Sequence, residues 1–330
     1  MNHYRIYHDE IPAFLEACMR TPVVRRLQKV GMNCGCEYTS FPRFTGLTPY
    51  SRYDHSVGVA LIAWHFTHDP AQAVAGLLHD VATPVFAHVV DFMRGDYLTQ
   101  ESTEDGTEAL IAGSEELQAV LAGYGLTTDD VCDYHRYPIA DNDTPRLSAD
   151  RLEYTLGNCV NFGIRTMKEV KRFYGDLAVG TNEDGQAELL FNSLPLAEDF
   201  ARATLACSRI YVSDEDRYAM QMLSELLRHA IERGIIDGSD LLSTEPEVID
   251  RLLADEEIAG LWRGFRGYRK AEKADRPGTT GDWRRIDAKK RYVDPMVNRR
   301  GRVSGLSAAF AEELRAFKDA SLDDWICGEA

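Results

Sequence analysis

Three side chains with metal-binding atoms, His55, His79 and Asp80, stand in the most apolar part of the chain. His55 falls in Ser51-Arg52-Tyr53-Asp54-His55-Ser56-Val57-Gly58-Val59, and the adjacent pair closes Gly76-Leu77-Leu78-His79-Asp80. Burying an imidazole and a carboxylate among Ala, Val, Leu and Trp costs several kcal/mol unless the groups are paired or bind a metal. A metal collects such groups from separate helices. Asp150, in Ser148-Ala149-Asp150-Arg151-Leu152-Glu153-Tyr154, supplies a fourth ligand where a helix-like run opens. Two imidazoles and two carboxylates suit one divalent transition ion (Mn, Fe, Co, Ni or Zn) better than calcium or magnesium, which prefer oxygen.

The elements that must position these groups read as helices. A first is predicted from Glu10 to Met19 and a second from Pro22 to Gly31, where proline opens and glycine closes. His55 to Phe66 and Ala71 to Leu78 are apolar nearly all round, which predicts two buried central helices that face His55 toward His79. Thr83-Pro84 reads as a cap and first residue of a helix to about Arg94, and polar Asp96 to Gly106 as a loop near the site mouth. Further helices are expected over Glu108 to Ala122, Thr128 to His135, Ser148 to Asn161, Pro195 to Arg233 and Glu247 to Leu253. Leu177 to Val179 and Ala187 to Phe191, around Asn182-Glu183-Asp184-Gly185, read as a small β-hairpin.

Composition narrows the class of protein. A chain of 330 residues with 44% hydrophobic content can fill one large core or a core plus an appendage. No run of about 18 apolar residues occurs, so no membrane span is expected. The first residues lack a secretory signal and the seven cysteines form no regular framework, which makes a cytoplasmic setting the expectation. The net charge of -16 argues against general nucleic-acid binding. From Arg263 to Arg302, however, 14 Lys/Arg face 5 Asp/Glu, a local +9 that leaves -25 for the rest. So far along the chain from every ligand, this segment is expected to act on assembly or effector binding rather than on chemistry, as a solvated tail, a patch on the acidic body or a phosphate site.

Other residues suggest what accompanies the metal. Arg52, three before His55, shares its helical face, and a planar five-donor cation suits a phosphate oxygen; an ion pair with Asp54 or Asp96 is the alternative. His88 and Asp91, also three apart, make an acid/base arrangement in which the carboxylate fixes the tautomer, unless His88 is simply a buried histidine. Tyr154, four after Asp150, falls on the metal-facing side or packs in the core. His135 with His88 is a candidate pair for a second metal, against which stands the loop signalled by Tyr137-Pro138.

These residues, in this order, resemble the HD-domain superfamily, and within it the deoxynucleoside triphosphate triphosphohydrolases and related phosphohydrolases. The resemblance runs from Thr21-Pro22-Val23-Val24-Arg25-Arg26-Leu27 through Arg52 to Val59, His79-Asp80, Pro84-Val85-Phe86-Ala87-His88 and Asp150 to Tyr154, ending near Ile210-Tyr211 and Ala219 to Leu223. It implies an all-α fold with an HD-domain metal-binding core over 1–175, a mostly helical C-terminal region over 176–330, and a nucleotide or other phosphoester substrate. A deoxynucleoside triphosphate cut to nucleoside and triphosphate is the first expectation, in a homo-oligomer. By the same resemblance Arg52 contacts phosphate, His88 donates a proton or binds phosphate with Asp91 as partner, and Tyr154 lies near the phosphate or sugar. Two places depart from the pattern: Thr83 stands where many relatives carry a histidine, and Thr103-Glu104 where a His-Glu pair is expected. The second keeps open a non-catalytic nucleotide-binding regulatory module; a third class, a di-iron oxygenase of the HD type, would need a second metal.

Overall fold

Capping side chains set where the two apolar runs begin. Residues 6–95 and 106–330 are described by the computed structural model, in which α1 (Ala13–Met19) and α2 (Pro22–Arg25) lead into α3 (Arg52–Thr67) and α4 (Pro70–Leu78). Ser51 caps α3 reciprocally: its hydroxyl accepts from the Asp54 N–H, and the Asp54 carboxylate accepts from the Ser51 N–H. Asp69 caps α4 ahead of Pro70. Both helices are buried along most of their length, as expected of runs without a polar face. The second predicted helix is shorter than its sequence suggests, since after Arg25 it tightens into a 3₁₀ turn over Arg26–Lys29.

The turn after His79-Asp80 departs from expectation. No helix starts at Pro84; Phe86 and Ala87 adopt left-handed φ values of 60° and 47°, and α5 (Val89–Arg94) begins only after His88. Each such residue is strained by its Cβ, and both are fully buried, so surrounding packing holds them there. The expected loop from Asp96 onward, with Thr103-Glu104, lies outside the described residues. The chain resumes in α6 (Thr107–Gly113) and α7 (Glu115–Gly123), split at Ser114, which caps the second, then α8 (Thr128–Val131) and α9 (Ala149–Asn161).

α10 (Met167–Gly175) precedes the predicted hairpin, β1 (Leu177–Thr181) paired antiparallel with β2 (Ala187–Phe191). The long C-terminal run is two helices, α11 (Leu194–Tyr211) and α12 (Asp214–Glu232), followed by α13 (Glu245–Ala254) and α14 (Glu256–Gly267). The basic segment is more ordered than a tail. It contributes β3 (Lys270–Ala274), β4 (Arg284–Arg285), β5 (Met296–Val297) and β6 (Gly301–Arg302), before α15 (Val303–Leu306), α16 (Ala308–Asp319) and β7 (Trp325–Glu329). Two small sheets result, in the orders β1-β2-β5-β6 and β3-β7-β4. The fold is thus mainly helical with short strands. Two apolar clusters fill it: one holds α3, α4 and α9, the other packs α5 against α12 and α14, and each draws on residues from both sides of position 175.

α3 and α9 cross closely because Gly58 allows it. A Cβ at Gly58 would lie 2.5 Å from Glu153 Cγ and 2.6 Å from its Oε1, and Glu153 is fully buried with both oxygens bonded, so it has nowhere to swing. Gly58→Ala is therefore expected to destabilise the fold by roughly 1–3 kcal/mol, the usual cost of overpacking. Thermal denaturation checks this, and an unchanged melting temperature would show that the carboxylate can move.

A candidate metal centre at the head of one cavity

His55 and His79 reach the same point from two helices, their ring centroids 5.1 Å apart. Each ring has its outer nitrogen fixed. His55 Nδ1–H donates to Glu153 Oε2 at 2.6 Å, and His79 Nδ1–H donates to the Gly76 carbonyl at 2.8 Å, so both present Nε2 inward. Asp80 Oδ2 lies 3.9 Å from His55 Nε2 and 3.5 Å from His79 Nε2; Asp150 Oδ1 lies 3.0 Å and 3.7 Å from the same two atoms. Ligands about 2.1 Å from a common ion stand roughly 3.0–3.4 Å apart in octahedral or tetrahedral geometry. The four atoms are thus spaced nearly as an ion would need them. His55, His79 and Asp80 form, among the described residues, a buried group that could hold a metal; Asp150, the fourth ligand expected from the sequence, lies outside that group but has Oδ1 beside both ring nitrogens.

The charges in this cluster are mutually dependent. Burial would push the Asp80 carboxyl up, but Arg52, His79 and His55 overcome that and hold it well below the usual carboxylate range. Asp150 is likewise drawn down to about 2 by its bond to His55, against burial. Burial opposes a charge on His55, yet the carboxylates of Asp150 and Glu153 raise it to about 10. Without a metal, then, the inner imidazole carries the cation that two acids require.

Glu153 was not expected from the sequence. Fully buried, it takes the His55 ring nitrogen and the Tyr50 hydroxyl on Oε2, and the Tyr7 hydroxyl on Oε1 at 3.3 Å. Its position three residues after Asp150 on α9 was the available signal: an acid at i+3 shares the ligand's face. Such an outer carboxylate orients a ligating histidine and raises its basicity.

A cavity of about 560 Å³ opens below this cluster, within the size range of small-molecule sites. Arg52 lines it, and its Nη1 donates to Asp80 Oδ2 at 3.1 Å; of the alternative partners, Asp54 is bonded to Ser51 instead and Asp96 lies outside the described residues. His88 lines it too, its Nδ1–H donating to Asp91 Oδ2 at 2.9 Å, so the expected pairing exists even though His88 caps α5 rather than riding on it. Burial, helped by Arg291 and Arg52, lowers His88 to about 4 against the pull of Asp91, so at neutral pH Nε2 is an unprotonated acceptor. Tyr154 stands in the wall with its ring 6.5 Å from His55. Beyond it the wall is aromatic: Tyr211 lies 6.3 Å from Tyr154, Phe162 6.5 Å from Tyr211, and Phe44 6.3 Å from Phe162. The Asn158 amide donates to the Tyr211 hydroxyl at 2.8 Å while its Oδ1 is buried with no partner.

Two expectations change here. His135 and His88 both line the cavity, yet they join no second cluster of potential ligands among the described residues: His135 is bonded to Asp141 at 2.8 Å, and a guanidinium, that of Arg291, lies 3.3 Å from His88 Nε2 where a second cation would have to bind. The basic segment, expected to stay away from the chemistry, sends Ala288, Lys289 and Arg291 into the cavity wall. Distance along the chain was a poor guide because β5 pairs with β2 and carries the segment back over the core.

No family model matches the chain. Among curated proteins it is similar to Uncharacterized protein YdhJ of Bacillus subtilis (strain 168), 28% identical over 215 residues that cover 64% of this chain and 64% of that protein. It is also similar to Metal-dependent phosphohydrolase cns2 of Cordyceps militaris, 26% identical over 214 residues, 64% of this chain and 58% of that protein. The chain therefore spans less than two thirds of the length of either relative. No described helix is long and apolar enough to cross a membrane.

Two variants test the centre. Asp80→Ala is expected to abolish bound metal in purified protein, and stoichiometric metal in that variant would remove the assignment. Glu153→Gln, which leaves all four inward atoms in place, is expected to weaken metal binding about 10–100-fold, the usual effect of losing an orienting carboxylate; metal titration measures it.

Proposed function

We propose that this protein is a metal-dependent phosphohydrolase whose centre is His55, His79, Asp80 and Asp150. The observation that carries the reading is that each of two inward imidazole nitrogens lies 3.0–3.9 Å from each of two carboxylate oxygens at the head of a cavity, and the similarity to a protein named for this activity supports it. His55, His79, Asp80 and Asp150 would hold a divalent transition metal, which would supply Lewis acidity toward a phosphoryl oxygen and would acidify the attacking water. The remaining work falls to the chain's own side chains. Arg52 steadies both Asp80 and developing phosphoryl charge. His88 delivers a proton to the leaving oxygen as the phosphorus–oxygen bond breaks, so that water adds its oxygen to phosphorus and the alcohol departs neutral. In the free protein His88 is unprotonated; a phosphate dianion beside it favours the imidazolium and so arms the donor only when substrate is present.

The aromatic wall favours a substrate with a flat ring, and Tyr154 stands between that wall and the centre. A nucleotide fits this arrangement, its base against the aromatic rings and a ring donor or hydroxyl meeting the partnerless Asn158 Oδ1. A deoxynucleoside triphosphate released as nucleoside and triphosphate is the first substrate to try. A screen of nucleotides and other phosphoesters with metal-loaded protein, read by product so that triphosphate and single phosphate release are separated, tests the reading; inactivity on every phosphoester would defeat it. Within that screen His88→Ala is expected to keep metal and melting temperature while slowing turnover about 10²–10⁴-fold. Normal turnover by a stable, fully metallated variant would refute the proton-donor role.

A further inference from the structure

Among the described residues, the cavity wall contains a cation that makes no close ion pair, although it acts at longer range on the buried carboxyl of Asp216 in the same wall. The Arg and Lys side chains lining the cavity are Arg52, Arg151, Lys289 and Arg291. Arg52 is bound to Asp80, and Arg151 lies 3.4 Å from Asp141 and donates to Asn142 and Ser148. Arg291 has no carboxylate within ion-pair distance among the described residues; its Nη2 lies 3.3 Å from His88 Nε2. A half-buried guanidinium resting on an imidazole lone pair has five donors and one weak acceptor. That is the arrangement of an anion site.

The segment that carries Arg291 is pinned on both sides. Arg217, fully buried in α12, donates to the carbonyls of Ile286 and, at 2.8 Å, Leu322. Lys290 Nζ donates to the Lys318 carbonyl at 2.7 Å, the Asp294 N–H donates to the Pro145 carbonyl at 2.9 Å, and the Asp294 carboxylate accepts from the Ser304 N–H at 2.9 Å. The strap from Ile286 to Val297 is thus a preformed support, and a preformed support lowers the entropy that binding must overcome. Charge points the same way. The acids of the wall, Asp80, Asp141, Asp150 and Asp216, balance Arg52, Arg151, Lys289 and Arg291, so a divalent ion would leave the cavity with excess positive charge, complementary to a phosphate dianion.

We infer that Arg291 is a phosphate-binding residue of this site, leaving His88 Nε2 to take two phosphoryl oxygens of the substrate when it enters. The inference rests on the phosphohydrolase reading and adds to it a group more than two hundred residues from His88 in the chain. Four groups face His88: Asp91 on its own helix, Arg291 on the strap, Arg52 at the start of α3, and the Cys34 thiol, which bonds to the His88 backbone from the loop before α3. Of these only Arg291 is free to exchange its partner for an anion. Its departure toward phosphate removes a cation from the imidazole at the moment an oxyanion arrives, and both changes favour protonation of Nε2.

The test uses the full chain loaded with zinc and inorganic phosphate as the probe, followed by calorimetry. Wild type is expected to bind phosphate, and Arg291→Gln to bind it about 10–100-fold more weakly, the loss typical of a charge-assisted pair of hydrogen bonds, with metal content unchanged. Arg291→Lys keeps the charge without the fork and is expected to fall between the two; it also answers the question should the glutamine variant fail to fold. A readout that a purely structural arginine would not move is the titration of the His88 ring by NMR. The rise of its midpoint from about 4 when phosphate is added to wild type is expected to shrink in Arg291→Gln, beyond the change that loss of the charge itself makes without phosphate. Equal phosphate affinity in wild type and both variants overturns the inference and leaves the phosphohydrolase reading intact. Absence of phosphate binding by metal-loaded wild type overturns both.

Discussion

The contact between Glu153 and His55 is the constraint around which the site is arranged. A carboxylate with no solvent exposure must have both oxygens answered, and they are answered by an imidazole and two tyrosine hydroxyls, from the start of the chain at Tyr7 and from the segment Tyr50 to His55. That requirement fixes the distance between α3 and α9, demands glycine at position 58, and turns the His55 ring so that Nε2 looks inward. Asp150 then follows without further adjustment, since it precedes Glu153 by three residues on the same helix. One buried acid thus sets the helix crossing, the tautomer and the position of a candidate ligand together.

A second layer of restraint acts on the turn after Asp80. Arg26, buried enough to bring its guanidinium down to about 10, donates to the carbonyls of Val81, Thr83 and Ser243, tying the turn to the 3₁₀ segment and to the approach of α13. The Thr83 hydroxyl donates to Asp80 Oδ1 at 2.7 Å, and Arg52 holds the other oxygen. Thr83 therefore has a role of its own in this chain, as an anchor for the carboxylate, at a position where the sequence pattern suggested only a missing histidine. Asp80 is held from two sides before any ion is considered.

How much of this was legible follows from the range of the interactions. His55, His79 and Asp80 stand out because each is a polar group in apolar surroundings, a contrast visible in a short window on or just after the mostly apolar α3 and α4, whereas Asp150 was legible only as a carboxylate opening a helix-like run. The caps at Ser51, Asp69 and Ser148 are equally local, although none of them was among the expected caps. The start of α5 was misread because Pro84 is a fair first residue for a helix, and nothing in Val85-Phe86-Ala87 signals left-handed backbone; packing of the second apolar cluster overrides local preference there. Arg291 was invisible for a different reason. Its relation to His88 depends on a single parallel pairing of Phe191 with Val297 and on buried Arg217, and neither leaves a pattern in the residues near 291.

The two left-handed residues before His88 carry a consequence for how this chain can change. Held at φ values of 60° and 47°, Phe86 and Ala87 each sit in a conformation that costs an L-residue about 1–3 kcal/mol, and glycine at position 87 would relieve that cost on backbone grounds alone. The same relief would widen the range of directions in which the imidazole can point, because a strained turn admits few alternatives and a glycine turn admits many. Selection for heat resistance alone would thus favour glycine here at the expense of a fixed imidazole, and a search for sturdier variants that scores only melting temperature would drift toward proteins that fold well and hold the His88 ring loosely.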